Sequence, residues 1–251
     1  MAPSAELPAG APLGFPRCPK CPYVRVGPPR ICVACASQSL EDIAQSACPI
    51  CCQKLTDDGS CPNWLCSDPR RRISRIHAIA YLSGSLRNKI IRYKYDGAYG
   101  WSLIFGRLLL GWLEQHADDP PDLIVANPTY VGPGEQRFAH TERVLDVAAR
   151  EDILGAWRFD TASPRAIMKD RATPQSARNT ASAKRAAARE LRSALRIPDP
   201  SRTSGCKVLI YDDVCTTGSQ LDAVAGCLLD EGHAADVEAV VLARTLWGNR
   251  A

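Results

Sequence analysis

The stretch Lys207-Val208-Leu209-Ile210-Tyr211-Asp212-Asp213-Val214-Cys215-Thr216-Thr217-Gly218-Ser219 decides how this chain folds. Its apolar beginning predicts a buried strand that ends in two adjacent acids. A small turn with hydroxyl groups and one glycine follows, and residues 220–231 carry apolar side chains at helical spacing. Residues 237–242 predict another strand. The unit is therefore expected to be a β-loop-α-β crossover of a parallel sheet.

The turn before the predicted helix is a candidate anion site, because ligands of parallel sheets bind at the carboxyl ends of the strands. Free N–H groups at a helix N-terminus favour a phosphate, and Thr216, Thr217 and Ser219 add hydroxyl donors. Two neighbouring acids repel phosphate unless sugar hydroxyls or Mg²⁺ occupy them. Asp212 and Asp213 therefore point to a ribose 5-phosphate ligand. The alternative is a structural strand-turn-helix whose acids only cap the strand.

The same stretch resembles the phosphoribosyl pyrophosphate (PRPP) motif of type I phosphoribosyltransferases. That motif consists of an apolar strand, two acids, two variable residues and a Thr-Thr-Gly-Ser-like loop. The resemblance implies that the loop holds the 5-phosphate, and that Asp212 and Asp213 hold the ribose hydroxyls, act in catalysis and lie near Mg²⁺. The PRPP-binding residues that it implies are Asp212, Asp213, Val214, Cys215, Thr216, Thr217, Gly218 and Ser219.

A chain of 251 residues is long enough for one α/β domain with a small accessory module. No apolar run reaches transmembrane length, since Arg107 interrupts the longest candidate at 103–112. No signal peptide is recognisable, so the expected location is cytoplasmic. The net charge of +4 is uneven, because residues 165–196 contain nine Lys or Arg and two acids. This local excess fits pyrophosphate or nucleic acid, although a solvated basic helix is the alternative for most of these residues.

Nine of the twelve cysteines lie between Cys18 and Cys66, in two sets that have the spacing of zinc sites. The first predicted set comprises Cys18, Cys21, Cys32 and Cys35, and the second comprises Cys48, Cys51, Cys61 and Cys66. Cys52 could replace Cys51. Disulfides are the alternative, but they require an oxidising compartment. The module is too short for a core of its own, so two structural Zn²⁺ ions are expected to supply its folding energy.

The remaining pattern mixes strands and helices in a way that predicts a parallel sheet. The predicted strands are 75–81, 123–126 and 157–159, and the predicted helices are 85–95, 99–116, 141–150 and 182–195, with a polar loop at 169–175. The predicted organisation is a disordered tail at 1–16, a cysteine-rich zinc module at 17–68 and an α/β domain at 75–251.

This layout resembles the ComF-like (competence protein F) family, which joins a cysteine-rich zinc module to a type I phosphoribosyltransferase domain. The resemblance rests on the cysteine sets and the PRPP motif, and on three further segments: Leu86 to Tyr95 with Asp96-Gly97, Arg171 to Gln175, and Arg185. It implies a type I phosphoribosyltransferase-like parallel sheet flanked by helices, after a zinc-ribbon-like module. Two segments depart from the family pattern. Where the family usually has Pro-Val-Pro-Leu, this chain has Ala126-Asn127-Pro128-Thr129, and where the family usually has Arg-Gly-Phe-Asn-Gln, this chain has residues 136–140.

The activity that this resemblance implies is Mg²⁺-dependent transfer of ribose 5-phosphate from PRPP to a nitrogen nucleophile, with release of pyrophosphate. Asn127, Lys169 and Arg171 are the candidate pyrophosphate-binding residues. The sequence offers no evident general base. The alternative is a catalytically silent PRPP-fold protein of DNA uptake or processing. In that case the zinc module and the Arg70 to Arg75 run would contact single-stranded DNA or a partner protein.

Overall fold

The computed structural model describes residues 40–133, 138–173 and 180–247. Its main sheet has four parallel strands in the order β1-β6-β5-β2, and a separate antiparallel pair joins β3 to β4. The strands are β1 (Arg75–Tyr81), β2 (Leu123–Ala126), β3 (Met168–Lys169), β4 (Leu195–Arg196), β5 (Lys207–Cys215) and β6 (Asp236–Arg244).

Helices cover both faces of this sheet. They are α1 (Trp64–Ser67), α2 (Gly84–Tyr95), α3 (Trp101–Gln115), α4 (His140–Glu151), α5 (Ala181–Arg192) and α6 (Ser219–Asp230). Across the described ranges, none of these helices combines the length and the apolar character that a membrane crossing needs.

The central strand β5 divides the core in two, because side chains alternate between the faces of a strand. Leu209 and Tyr211 pack with α2, α3 and α4 on one face. Val208 and Ile210 pack on the other face, with α6 and with apolar residues of the cysteine segment such as Leu65. Burial on both faces explains the nearly unbroken apolar sequence of the strands.

The predicted α/β class and the β-loop-α-β crossover are confirmed, and strands 75–81 and 123–126 occur at the predicted residues. The central strand is longer than predicted. It continues through both acids to Cys215, because β6 pairs with it as far as Arg244.

Two predicted elements were wrong. Residues 157–159 form no strand, since only Phe159 bridges to Ile124. The helix predicted at 182–195 ends at Arg192, because Leu195 turns to pair with Lys169 as an antiparallel strand. Lys169 therefore lies on a short strand and not in a loop.

Several predicted features lie outside the described residues. They are the tail at 1–16, the first cysteine set (Cys18, Cys21, Cys32 and Cys35), and parts of the 136–140 and 171–175 segments.

Candidate functional site

Asp212 and Asp213 both line a cleft of about 710 Å³ at the carboxyl end of β5. As neighbours in a strand, they start from opposite faces of the sheet. Asp212 lies beside the end of β2, where the Nδ2 of Asn127 donates a hydrogen bond to its Oδ2 at 2.9 Å. Both acids are buried, with 8% and 4% exposure. Both acids therefore belong to the packed structure.

Two basic side chains meet at Asp213. The Nζ of Lys94, from α2, lies 2.6 Å from its Oδ2, and the Nε2 of His140, from α4, lies 3.3 Å from the same oxygen. Burial opposes ionisation of Asp213, but the positive charge of Lys94 and the nearby His140 outweigh it and hold its pKa well below the usual range. Burial and, second to it, the negative charge of Asp213 together raise the pKa of Asp212 to about 7. The pair is therefore poised to carry one permanent charge and one charge that titrates near neutrality.

The loop after the acids presents unused backbone donors. Among the described residues, the N–H groups of Thr216, Thr217 and Gly218 make no hydrogen bond. The carbonyl of Thr217 accepts from Asn63 at 2.9 Å, and that of Thr216 accepts from Trp247 at 3.1 Å and from Arg244. In a trans peptide the N–H opposes the C=O, so the following N–H groups point away from these donors. The loop of residues 216–218, called the anion loop below, therefore offers unused N–H groups at the start of α6, a position that favours an anion.

Gly218 is the N-cap of α6 and has a φ of +85°. The backbone at Gly218 closely approaches the core, since a Cβ at this position would lie 2.5 Å from Ile76 Cδ1 and 3.1 Å from Leu65 Cδ2. The loop is thus wedged against both the sheet and the cysteine segment.

We expect Gly218→Ala to lower the free energy of unfolding by about 2–4 kcal/mol. The left-handed backbone costs a residue with a Cβ about 1–2 kcal/mol, and overpacking against Ile76 adds a similar amount. Gly205→Ala is the matched control, because Gly205 also has a positive φ (+72°) but no atom within 4 Å of its Cβ position. Urea unfolding of both variants measures the difference. Equal losses would show that the contact with Ile76 is unimportant.

Basic and aromatic side chains complete the cleft. Lys169 and Lys184 line it together with Lys94, and burial lowers the pKa of Lys169. The predicted pyrophosphate residues Asn127 and Lys169 are therefore in the cleft. Arg171 is not among its lining residues, since its guanidinium pairs with Glu190 at 2.6 Å.

The second cysteine set comes together. The sulfur atoms of Cys48, Cys51, Cys61 and Cys66 all lie within 4.8 Å of one another, with closest separations of 3.7 and 3.8 Å. Sulfurs at 2.3 Å from a tetrahedral ion lie about 3.8 Å apart, whereas a disulfide would need about 2.05 Å. The cluster could hold a metal ion, and it contains Cys51, not Cys52.

Cys215 is not a nucleophile in this setting. It is 2% exposed, and burial raises its pKa to about 11, although Arg244 acts in the opposite direction. Its thiol therefore stays protonated near neutral pH and fills space behind the loop.

Sequence reasoning missed Lys94, His140 and Lys184. Lys94 stands in the Leu86 to Tyr95 segment that the family resemblance quoted without a role, and Lys184 stands in the basic run. His140 ends the 136–140 segment, but nothing in the sequence linked it to Asp213, because only tertiary packing brings the two together. His140 is a basic group in a cleft for which the sequence offered no general base.

Within the Arg70 to Arg75 run, Arg71 donates to the carbonyl groups of Ile73 and Cys66. Arg70 pairs with Asp68 and Arg72 pairs with Asp230.

No protein-family model matches this chain, and no curated protein shows significant similarity to it.

Proposed function

We propose that this protein binds Mg²⁺-PRPP in the cleft and transfers ribose 5-phosphate to a nitrogen nucleophile, with release of pyrophosphate. The observation that carries the proposal is the placement of two buried acids next to a loop with unused amides. Phosphate suits the loop, and the 2- and 3-hydroxyls of ribose suit the acids. A simple phosphate site would not need the carboxylates of Asp212 and Asp213 in the same cleft.

The chemistry requires charge stabilisation more than covalent participation. C1 of the ribose becomes cationic as the C1–O bond to pyrophosphate breaks, and the Asp213 carboxylate favours that charge. Lys169 and Lys184 are the residues that would receive the leaving pyrophosphate. Mg²⁺, when bound, neutralises pyrophosphate charge. His140 lines the same cleft and would be the group that accepts a proton from the attacking nitrogen.

Zinc is the metal that we propose for Cys48, Cys51, Cys61 and Cys66. Four thiolates at tetrahedral spacing suit Zn²⁺, which has no redox chemistry and favours this geometry. A closed four-cysteine set leaves no position for substrate, so the role is structural. A second zinc ion at Cys18, Cys21, Cys32 and Cys35 remains a prediction.

The direct test combines turnover and binding. Pyrophosphate release from PRPP is measured with Mg²⁺, ammonia and a panel of nitrogen bases, and PRPP binding is measured by calorimetry, with Asp212→Asn as control. Turnover that depends on Asp212 supports the proposal. Absence of both binding and turnover contradicts it.

A second candidate is PRPP binding without turnover, in a protein of DNA uptake or processing. The observation that favours it is that Lys94 and His140 already occupy Asp213. A sugar would have to share this carboxylate with them. Calorimetric binding with no pyrophosphate release from any acceptor would select this candidate. Its DNA-binding part requires an affinity that falls steeply with salt.

The affinity for Mg²⁺-PRPP is expected to rise with pH through the pKa of Asp212, which is about 7. Below this pKa the Asp212 carboxyl is protonated and lacks the negative charge that favours Mg²⁺ and the cationic sugar. Binding must therefore release a proton. Affinity should rise by about tenfold per pH unit below the pKa and level off above it. Calorimetry in buffers of different ionisation enthalpy counts the proton. Asp212→Asn is the control, because it removes the proton of Asp212 and leaves the titration of the PRPP phosphates the same. An identical pH profile of affinity in both proteins would contradict the assignment of the released proton to Asp212.

A further inference from the structure

Arg244, the last residue of β6, is fully buried at 0% exposure. Among residues 40–133, 138–173 and 180–247, no carboxylate lies within 4.0 Å of its guanidinium, and its Nε has no hydrogen-bond partner. A buried charge without compensation is strongly unfavourable. The positive charge of Arg244 therefore needs a negative partner other than Asp or Glu.

The cysteine cluster supplies that partner. The Nη2 of Arg244 lies 3.5 Å from Cys51 Sγ. Four thiolates around a divalent ion carry a net charge of about −2, so a metal-loaded cluster provides a counterion next to the guanidinium. Groups that donate to metal-bound ligands typically change metal affinity by about 10–100-fold.

The other end of the same guanidinium holds the anion loop. Its Nη1 donates to the carbonyl of Cys215 at 3.1 Å, to the Cys215 sulfur at 3.2 Å and to the carbonyl of Thr216. Fixing the Thr216 carbonyl on this side directs the N–H of Thr217 to the opposite side, away from Arg244. Asn63 acts in the same way on the next peptide, and it lies between Cys61 and Cys66 in sequence.

We propose that Arg244 is a positioning residue that links the four-cysteine metal site to the anion loop, so that metal occupancy and phosphate binding strengthen each other. Loss of the metal removes the counterion of Arg244 and releases the Thr216 carbonyl, so the amides lose their fixed direction. Thermodynamic reciprocity requires that a phosphate ligand tighten metal binding by the same factor. The anion-loop part of this inference rests on the proposed function, whereas the Arg244–metal part does not.

The first arm of the test uses zinc alone. Zinc transfer to a chromophoric chelator is measured for the full chain, for Arg244→Lys and for Arg244→Met. Arg244→Met should raise the zinc dissociation constant by about 10–100-fold, and Arg244→Lys, which keeps the charge, by less. Equal zinc affinity in the wild type and in Arg244→Met would overturn the link to the metal.

The second arm repeats the zinc transfer with saturating ribose 5-phosphate. The wild type should hold zinc about 5–150-fold more tightly with the ligand, and Arg244→Met should lose this effect. An equal effect in both proteins, or none in a wild type that binds ribose 5-phosphate, would overturn the coupling. A wild type that does not bind ribose 5-phosphate would contradict the proposed function and the coupling, while the first arm still decides whether Arg244 serves the metal.

Trp247→Phe is the matched control, because Trp247 donates to the same Thr216 carbonyl through Nε1. Its indole makes no hydrogen bond to a cluster sulfur among the described residues. This variant should weaken ribose 5-phosphate binding and leave zinc affinity without ligand unchanged. If Arg244→Met does not fold, two measurements still decide the outcome. They are the zinc affinity of Arg244→Lys and the effect of ribose 5-phosphate on the zinc affinity of the wild type.

Discussion

Cys51→Ser is expected to remove one equivalent of zinc from the protein and to abolish cooperative folding of the segment around residues 47–67. Structural zinc contributes about 10–16 kcal/mol of apparent binding free energy, and three ligands retain little of it. Cys51 is fully buried, and the cluster shares a core with Leu65 and Ile76. The destabilisation should therefore reach the sheet and the loop at Gly218. Metal analysis and thermal unfolding measure the two effects.

Cys52→Ser is the matched control for this experiment. Cys52 follows Cys51 directly, but its sulfur is not part of the cluster. It has a φ of +55°, a left-handed conformation that a glycine would adopt more easily. Cys52→Ser should retain all the zinc of the wild type. Equal zinc content in both variants would show that Cys51 is not a ligand.

Lys94→Met is expected to lower the free energy of unfolding by about 3–5 kcal/mol at pH 7. Removing one partner of a buried ion pair leaves the other charge uncompensated, and the Asp213 side chain is only 6% exposed. The double variant Lys94→Met, Asp213→Asn should recover much of the loss. Arg87→Met on the exposed side of the same helix is the control, with an expected change within about 0.5 kcal/mol.

The pH dependence of this loss follows from the sign of the Asp213 shift. Its pKa is lowered in the folded protein, so the pair contributes stability above the ordinary carboxyl pKa and loses it as the pH falls. The difference between the wild type and Lys94→Met should therefore shrink under acidic conditions. A difference that is constant with pH, or an additive double variant, would show that the two side chains are not coupled.

The sequence predicted the central part of the site because its signals are local. An apolar strand, two acids and a loop before a helix are contiguous, so β5, the loop and α6 could be placed without tertiary information. The cysteine set at 48–66 was predictable for the same reason, and it is confirmed as a possible metal site.

The partners of these elements were not predictable, because they come from distant parts of the chain. Lys94 and His140 reach Asp213 from helices that pattern analysis could place but not orient. Arg244 looks like an ordinary strand-end arginine in sequence, yet it is buried between Cys51 and Thr216. The choice between Cys51 and Cys52 also required coordinates, since both fit the spacing.

A crystal structure of the protein with ribose 5-phosphate and Mg²⁺ tests the central claim most directly. We expect the phosphate oxygens to accept hydrogen bonds from the amides of Thr217 and Gly218. We also expect the 2- and 3-hydroxyls to lie about 2.6–3.2 Å from the carboxylates of Asp212 and Asp213. A phosphate bound elsewhere, with both carboxylates contacting only protein groups as they do without ligand, would contradict the account.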